Sequence, residues 1–155
     1  MNPILKKLNY KDQPKVLVLN APDSFQSVLS DLSFGTHLSL QLDQEKSFDF
    51  VMAFVRYQQE IDHLVPLFNA ILPGDGILWF AYPKASSKKY RCDFNRDTGW
   101  DMLGKFGFEP VRQVAIDEDW SALRFRRVEH IKSMKRQKNM AISADGKKKT
   151  KGSQR

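Results

Sequence analysis

The densest gathering of chemically able side chains runs from Tyr82 to Arg96. There Lys84, Lys88, Lys89, Arg91 and Arg96 are interleaved with Tyr82 and Tyr90, and Trp100 comes shortly after. Cations grouped on one loop can hold an anion, and the amino end of a following helix would add backbone donors. The plain alternative is a solvated loop of mixed Ser and Lys. A second group, Asp117, Glu118 and Asp119 beside Trp120, offers carboxylates that could divide acid and base roles if their environments push their pKa values apart. Three acids in a tight turn also serve simply as exposed turn formers, or as ion partners of the 84–96 loop.

Other chemistry is thinner. Cys92 lies between Arg91 and Asp93, and neighbouring cations can lower a thiol pKa. With no histidine near it in sequence, a plain, partly exposed thiol is expected. His37, His63 and His130 fall on three different elements without carboxylates or cysteines at ligand spacing, so no metal site is expected. Neither a serine-hydrolase elbow nor a phosphate-binding P-loop pattern occurs.

The elements that must position these groups are legible from periodicity. Residues 3–8 form a short lead-in with one apolar edge. Lys15–Asn20 is a buried-strand run. Phe25, Val28, Leu29 and Leu32 recur at helical spacing, with Asn20 or Asp23 to cap the helix and Gly35 to follow it. Strands are expected at 36–42, 48–55 and 76–82. Between the last two, Ile61, Leu64, Val65, Phe68, Ile71 and Leu72 trace a helix face, with a kink or restart at Pro66. Asp97 or Thr98 could cap a helix carrying Trp100, Leu103 and Phe106 that Gly107 closes. Strands at 111–116 and 122–128 are joined by a link too short for anything but an antiparallel pair.

This alternation predicts an α/β fold: a three-layer Rossmann-like sandwich whose sheet is mostly parallel and ends in a C-terminal antiparallel hairpin. The element order matches a trimmed class I methyltransferase plan. In such sheets ligands bind at the carboxyl ends of the strands, beside the switch point. The turn after the first strand usually carries glycines that let a cofactor approach, but here it reads Asn20-Ala21-Pro22-Asp23-Ser24, and the first glycine is Gly35. Pro22 also removes a backbone donor. Asp43, 23 residues after Asn20, stands where a ribose-binding acid would be, or is a strand-ending turn residue.

The segments Lys15–Pro22 (KVLVLNAP), Gly76–Lys84 (GILWFAYPK) and Asp117–Arg124 (DEDWSALR) resemble a bacterial family of small proteins carrying a domain of unknown function. The resemblance spans roughly residues 3–130 and implies a Rossmann-like, methyltransferase-like fold without supplying an activity.

The 155 residues carry 25 Lys+Arg against 18 Asp+Glu, a net charge of +7. The charge is unevenly spread. Nine bases and one acid fall in 131–155, leaving 1–130 close to neutral. The expected organisation is therefore a domain at 1–130 and a basic, disordered tail at 131–155, where Lys147, Lys148, Lys149 and Lys151 could contact nucleic-acid phosphates. One cysteine, no membrane-length apolar stretch and no apolar signal segment after Met1 place the chain in the cytoplasm, away from membranes.

These readings support three functional expectations. The leading one is a non-catalytic binding module for a small anionic ligand or a protein partner, with no cofactor. Its ligand site draws on Asn20, Asp23, Asp43, Tyr82, Lys84, Lys88, Arg91, Asp117 and Trp120. The second is an S-adenosylmethionine-dependent methyltransferase with an atypical, glycine-free first loop. The third is a nucleic-acid accessory protein working through its tail.

Overall fold

The computed structural model describes residues 1–131. The nucleic-acid expectation for Lys147, Lys148, Lys149 and Lys151 falls outside the described residues, as does all of the basic segment except Ile131, which is buried.

Six strands form one sheet in the order β2-β1-β3-β4-β6-β5. β1 (Lys15–Leu19), β2 (His37–Ser39), β3 (Phe50–Phe54) and β4 (Ile77–Pro83) are parallel, while β6 (Trp120–Arg127) runs antiparallel to both β4 and β5 (Phe108–Ala115). This is the Rossmann-like, methyltransferase-type arrangement, with its antiparallel hairpin at the C-terminal side. The switch point lies between β1 and β3, where the strand order reverses direction.

Alternate residues divide the core into two layers. One sheet face, carrying Leu17, Val51, Leu78, Phe80, Leu123 and Phe125, packs under α3 (Gln58–Ile71) and α4 (Asp101–Lys105). The other face, carrying Val16, Val18, Met52 and Trp79, is covered by α1 (Pro3–Lys7) and by Phe25, Val28 and Leu29. Trp79 is fully buried and its indole N–H donates to the Leu8 carbonyl at 2.9 Å, so α1 is pinned to the sheet centre. β3 is buried along its whole length, as its continuous apolar run requires of a central strand.

Several local expectations are corrected. The helix after β1 is a 3₁₀ turn (Asp23–Phe25) leading into a single α turn, α2 (Gln26–Leu29), with neither Asn20 nor Asp23 capping it and its end well before Gly35. Pro22 explains the start: it stands at the N-cap in an extended conformation, has no side-chain acceptor, and fixes where helical geometry can begin. β2 stops at Ser39 because the chain turns over Asp43–Lys46, where the Asp43 carboxylate accepts from the Glu45 amide at 3.0 Å. Leu40 is consequently exposed.

α3 runs through Pro66 without restarting. Pro66 faces solvent, so the carbonyl it leaves unbonded can turn to water. α4 takes neither Asp97 nor Thr98 as its cap. Trp100 occupies that position, and Gly107 follows the helix at φ 81, a left-handed conformation that suits glycine. β5 is longer than expected and tolerates Pro110 because it is an edge strand. A register shift between Pro110 and Arg112 interrupts its ladder there.

Candidate functional site

Asn20 follows β1 at φ 61, the left-handed region that asparagine tolerates better than most residues. The turn that glycine makes in many nucleotide-binding loops is made here by a residue with a side chain. Immediately after it, Phe25 turns inward and packs edge-on against Phe54 at 4.9 Å, and Phe54 packs on Trp120 at 5.1 Å. Tyr90 completes the series at 4.9 Å from Trp120. Phe25, Phe54 and Trp120 are buried, so the layer above the switch point is filled with aromatic rings. Trp120 is therefore a core residue, and its indole nitrogen is buried without a hydrogen-bond partner.

The carboxyl end of β4 is different. A cleft of about 810 Å³ opens there, lined by Tyr82, Lys84, Ser86, Ser87, Tyr90, Arg91, Cys92, Phe94, Arg96, Gln113 and Ser121 among others. Its floor is aromatic: Tyr82 and Phe94 pack at 5.8 Å, and Trp100 contacts both. Its polar centre is the Tyr82 hydroxyl, which accepts from the Gln113 side-chain amide at 2.9 Å. Burial pushes the Tyr82 phenol above its ordinary pKa, with nearby Arg96 acting in the opposite direction. The group is thus a neutral hydrogen-bond donor through the physiological range. Lys84 is half-buried, while Arg91 and Arg96 stand exposed at the rim.

The loop that forms the cleft is tied down at several points. Arg56, following β3, donates from Nε to the Arg91 carbonyl at 3.3 Å and lies 5.4 and 5.7 Å from the Tyr57 and Tyr90 ring centres. Asp93 accepts from the Gln58 amide at 2.7 Å. The hairpin acids do face this loop, through hydrogen bonds instead of ion pairs. Ser87 donates to the Asp119 carboxylate at 2.8 Å, and the Lys84 amide donates to the Asp119 carbonyl at 2.8 Å. Asp117 accepts from the Asp119 and Trp120 amides at 2.8 and 2.9 Å, which makes it the organiser of the hairpin turn.

The nine expected ligand residues are thus distributed over several places. Tyr82, Lys84 and Arg91 line the β4 cleft. Lys88 is exposed on the same loop, outside the lining set. Asn20 and Asp23 sit at the surface above the switch point, and Asp43 lines a shallower hollow of about 630 Å³ after β2, where Lys46 lies 3.9 Å from it. Asp117 and Trp120 act beneath and beside the cleft loop. Cys92 is half-buried in the cleft wall, and burial pushes its thiol pKa up. Among the described residues no group of three or more His, Cys, Asp or Glu is arranged to hold a metal.

Sequence reasoning places Arg56 at this strand edge, where it anchors the cleft loop, but misses Gln113 and Ser121. Gln113 and Ser121 reach the cleft only because β5 and β6 fold back beside β4.

Comparisons with solved structures agree with the fold. A methyltransferase dependent on S-adenosylmethionine from Aquifex aeolicus aligns over 81% of this chain and 88% of its own, at 13% identity and a TM-score of 0.60. The N-methyltransferase NodS of Bradyrhizobium japonicum aligns over 80% of this chain and 92% of its own, at 15% identity and 0.52. The pyocyanin biosynthetic protein PhzM aligns over 81% of this chain, which spans 53% of that protein's length, at 14% identity and 0.53. No family model matches the chain, and no curated protein matches it in sequence. At these identities the likeness extends to the fold. Among the described residues no helix is long and apolar enough to cross a membrane.

Proposed function

We propose that the protein is a non-catalytic binding module for a small anionic ligand seated at the carboxyl end of β4. One observation supports this above the others. The open, polar-centred cleft with Lys84, Arg91 and Arg96 around it lies beside β4, whereas aromatic side chains occupy the layer over the switch point. The Tyr82 hydroxyl, oriented by Gln113, supplies a fixed neutral donor at the base, and the aromatic floor suits a ligand with a flat apolar part. We also assign the chain to the bacterial family it resembles and to the cytoplasm, on the segments and composition described above.

The second reading, a methyltransferase using S-adenosylmethionine, is favoured by the methyltransferase neighbours in fold. Calorimetry on the full chain separates the two. The binding-module reading expects a panel of small phosphorylated and carboxylated aromatics to include binders that Arg91→Gln and Tyr82→Phe weaken and Asp43→Ala spares. Micromolar S-adenosylhomocysteine binding that Asp43→Ala abolishes would instead establish the cofactor reading and retire the β4 cleft as the primary site.

A further inference from the structure

The β4 cleft contains a hydroxyl that the fold itself does not use. Ser121 of β6 stands directly opposite Tyr82 of β4 on one side and Ala115 of β5 on the other. Directly opposed side chains share a sheet face, and Ser121 lines the cleft together with Tyr82. It is 8% exposed, yet its hydroxyl makes no hydrogen bond among the described residues. Ser87, also in the lining, is the contrast. Its hydroxyl donates to Asp119 at 2.8 Å and accepts from the Lys89 and Tyr90 amides at 3.2 and 3.1 Å. A hydroxyl withdrawn from water without a partner is a cost to the folded state, and a ligand oxygen set against it removes that cost.

Lys84 supplies a charge beside it. The Lys84 amide donates to the Asp119 carbonyl at 2.8 Å, which carries the pairing of β4 with the hairpin past Pro83 and fixes Lys84 at the mouth of the strand. Its side chain is half-buried in the lining and has no ion-pair partner among the described residues. The other cations are placed differently. Arg96 donates to Asp97 at 3.2 Å, Arg56 lies against the Tyr57 and Tyr90 rings, and Arg91 is exposed at the rim. The Asp119 carboxylate is engaged by Ser87, and Asp119 does not line the cleft. Tyr82 adds a third donor, because accepting from Gln113 leaves its own phenolic proton to give.

We infer, building on the β4 cleft as the ligand site, that the ligand is an aryl monocarboxylate: Lys84, Ser121 and Tyr82 hold the carboxylate, and the ring lies against the aromatic floor at Phe94. Ser121 is then the residue that sets specificity. The charge count selects a carboxylate over a phosphate. One half-buried ammonium balances one negative charge and two hydroxyls complete its hydrogen bonds. A phosphate monoester carries nearly two charges at neutral pH, and the second would lie in partly dry surroundings without a cation of its own. The floor of Tyr82, Phe94 and Trp100, packed at 5.0 to 5.8 Å, presents apolar surface to a flat ring.

The test is calorimetry on the full chain with three probes of one ring size: 2-naphthoate, 2-naphthyl phosphate and the neutral 2-naphthamide. Naphthoate is expected to bind about tenfold or more tightly than either of the others, the scale of a charge-assisted hydrogen bond. Ser121→Ala should weaken naphthoate about tenfold, and Lys84→Gln should remove its advantage over naphthamide. Lys46→Gln, in the hollow after β2, should change nothing. Without ligand, Ser121→Ala should keep the wild-type Tm or raise it, whereas loss of a structural hydroxyl would lower it. Lys84→Gln alone decides the question if Ser121→Ala unfolds. The inference is overturned, with the cleft reading intact, if naphthyl phosphate binds as tightly as naphthoate and Arg91→Gln weakens it. It is overturned equally if both cleft variants keep the wild-type naphthoate affinity, or if naphthoate does not bind. S-adenosylhomocysteine binding that Asp43→Ala abolishes, with no naphthyl acid bound, would take the cleft reading down as well.

Discussion

The two halves of the carboxyl edge share one sheet but not one character. Over β1 and β3 the rings of Phe25, Phe54 and Trp120 close against each other. At β4, a comparable set of aromatics, Tyr82, Phe94 and Trp100, lies as a floor beneath an open cleft. The difference comes from the segment after each strand. Beyond β1 the chain enters a helical turn within four residues and drops Phe25 onto the sheet. Beyond β4 it runs through a long loop, held at Arg56, Asp93 and Asp119, that stands away from the sheet end. A fold fixes which edge can bind, and the loop lengths fix which part of that edge is open.

The largest effect should come from emptying the closed half. Phe54→Ala is expected to cost about 3–5 kcal/mol of stability, because a buried ring leaves a cavity that the sheet cannot collapse around. Urea denaturation measures it. An Arg91→Ala variant in the open half should fall within about 0.5 kcal/mol of wild type, as an exposed rim residue does. Equal losses at both positions would erase the distinction between a packed half and a free one.

A middle-sized effect is expected at the two joints of the cleft. Glu60 accepts from the Arg56 and Tyr57 amides at 2.8 and 3.0 Å, holding the β3–α3 turn that anchors the loop. Glu60→Ala should cost about 1 kcal/mol, as loss of a capping acceptor does, and should raise amide exchange in residues 91–93. Tyr82→Phe should cost about 0.5–1.5 kcal/mol, the net worth of one hydrogen bond, because the exposed Gln113 amide can turn to water.

Tyr82 also gives a pH test. Its pKa is raised on folding, so the folded state holds the phenolic proton more tightly than the unfolded chain does. That contribution is complete below the unfolded tyrosine value and is lost as pH rises through the folded one. Tyr82→Phe should therefore flatten the alkaline limb of a stability–pH profile. Asp75 behaves oppositely. Its hydrogen bond with Arg126 lowers its pKa, so its contribution is present above the ordinary carboxylate value and disappears on acidification. Both partners are more than a third exposed, so Asp75→Asn should cost less than about 1 kcal/mol at neutral pH and slightly reduce acid sensitivity.

Much of the architecture is legible in the sequence. The continuous runs at β1, β3 and β4 fit central parallel strands, and the short link after Ile116 allows only a hairpin. The cleft loop is marked by its run of cations after β4. Its partners are not, since Gln113 and Ser121 are about thirty and forty residues away from Tyr82 in sequence. The region after β1 reads as a longer helix because Leu32 continues its periodicity, yet Pro22 and the turn at Asp31–Leu32 confine it to a 3₁₀ turn and one α turn. Asp43 matches a ribose-binding spacing by count, while its carboxylate accepts from its own turn and stands beside Lys46.

The linear chain already contains the alternation of strands and helices, the antiparallel ending, and the contrast between 130 nearly neutral residues and a basic segment. Local sterics and hydrophobic periodicity are encoded within a few residues, so they can be read along it. Only the assembled fold brings about a filled switch point beside an open β4 end, a Cys92 pKa raised by burial, and the meeting of Arg112 with Arg124 across the hairpin. Those outcomes depend on which distant side chains share a face and how much water reaches them, and neither quantity is a property of any single segment.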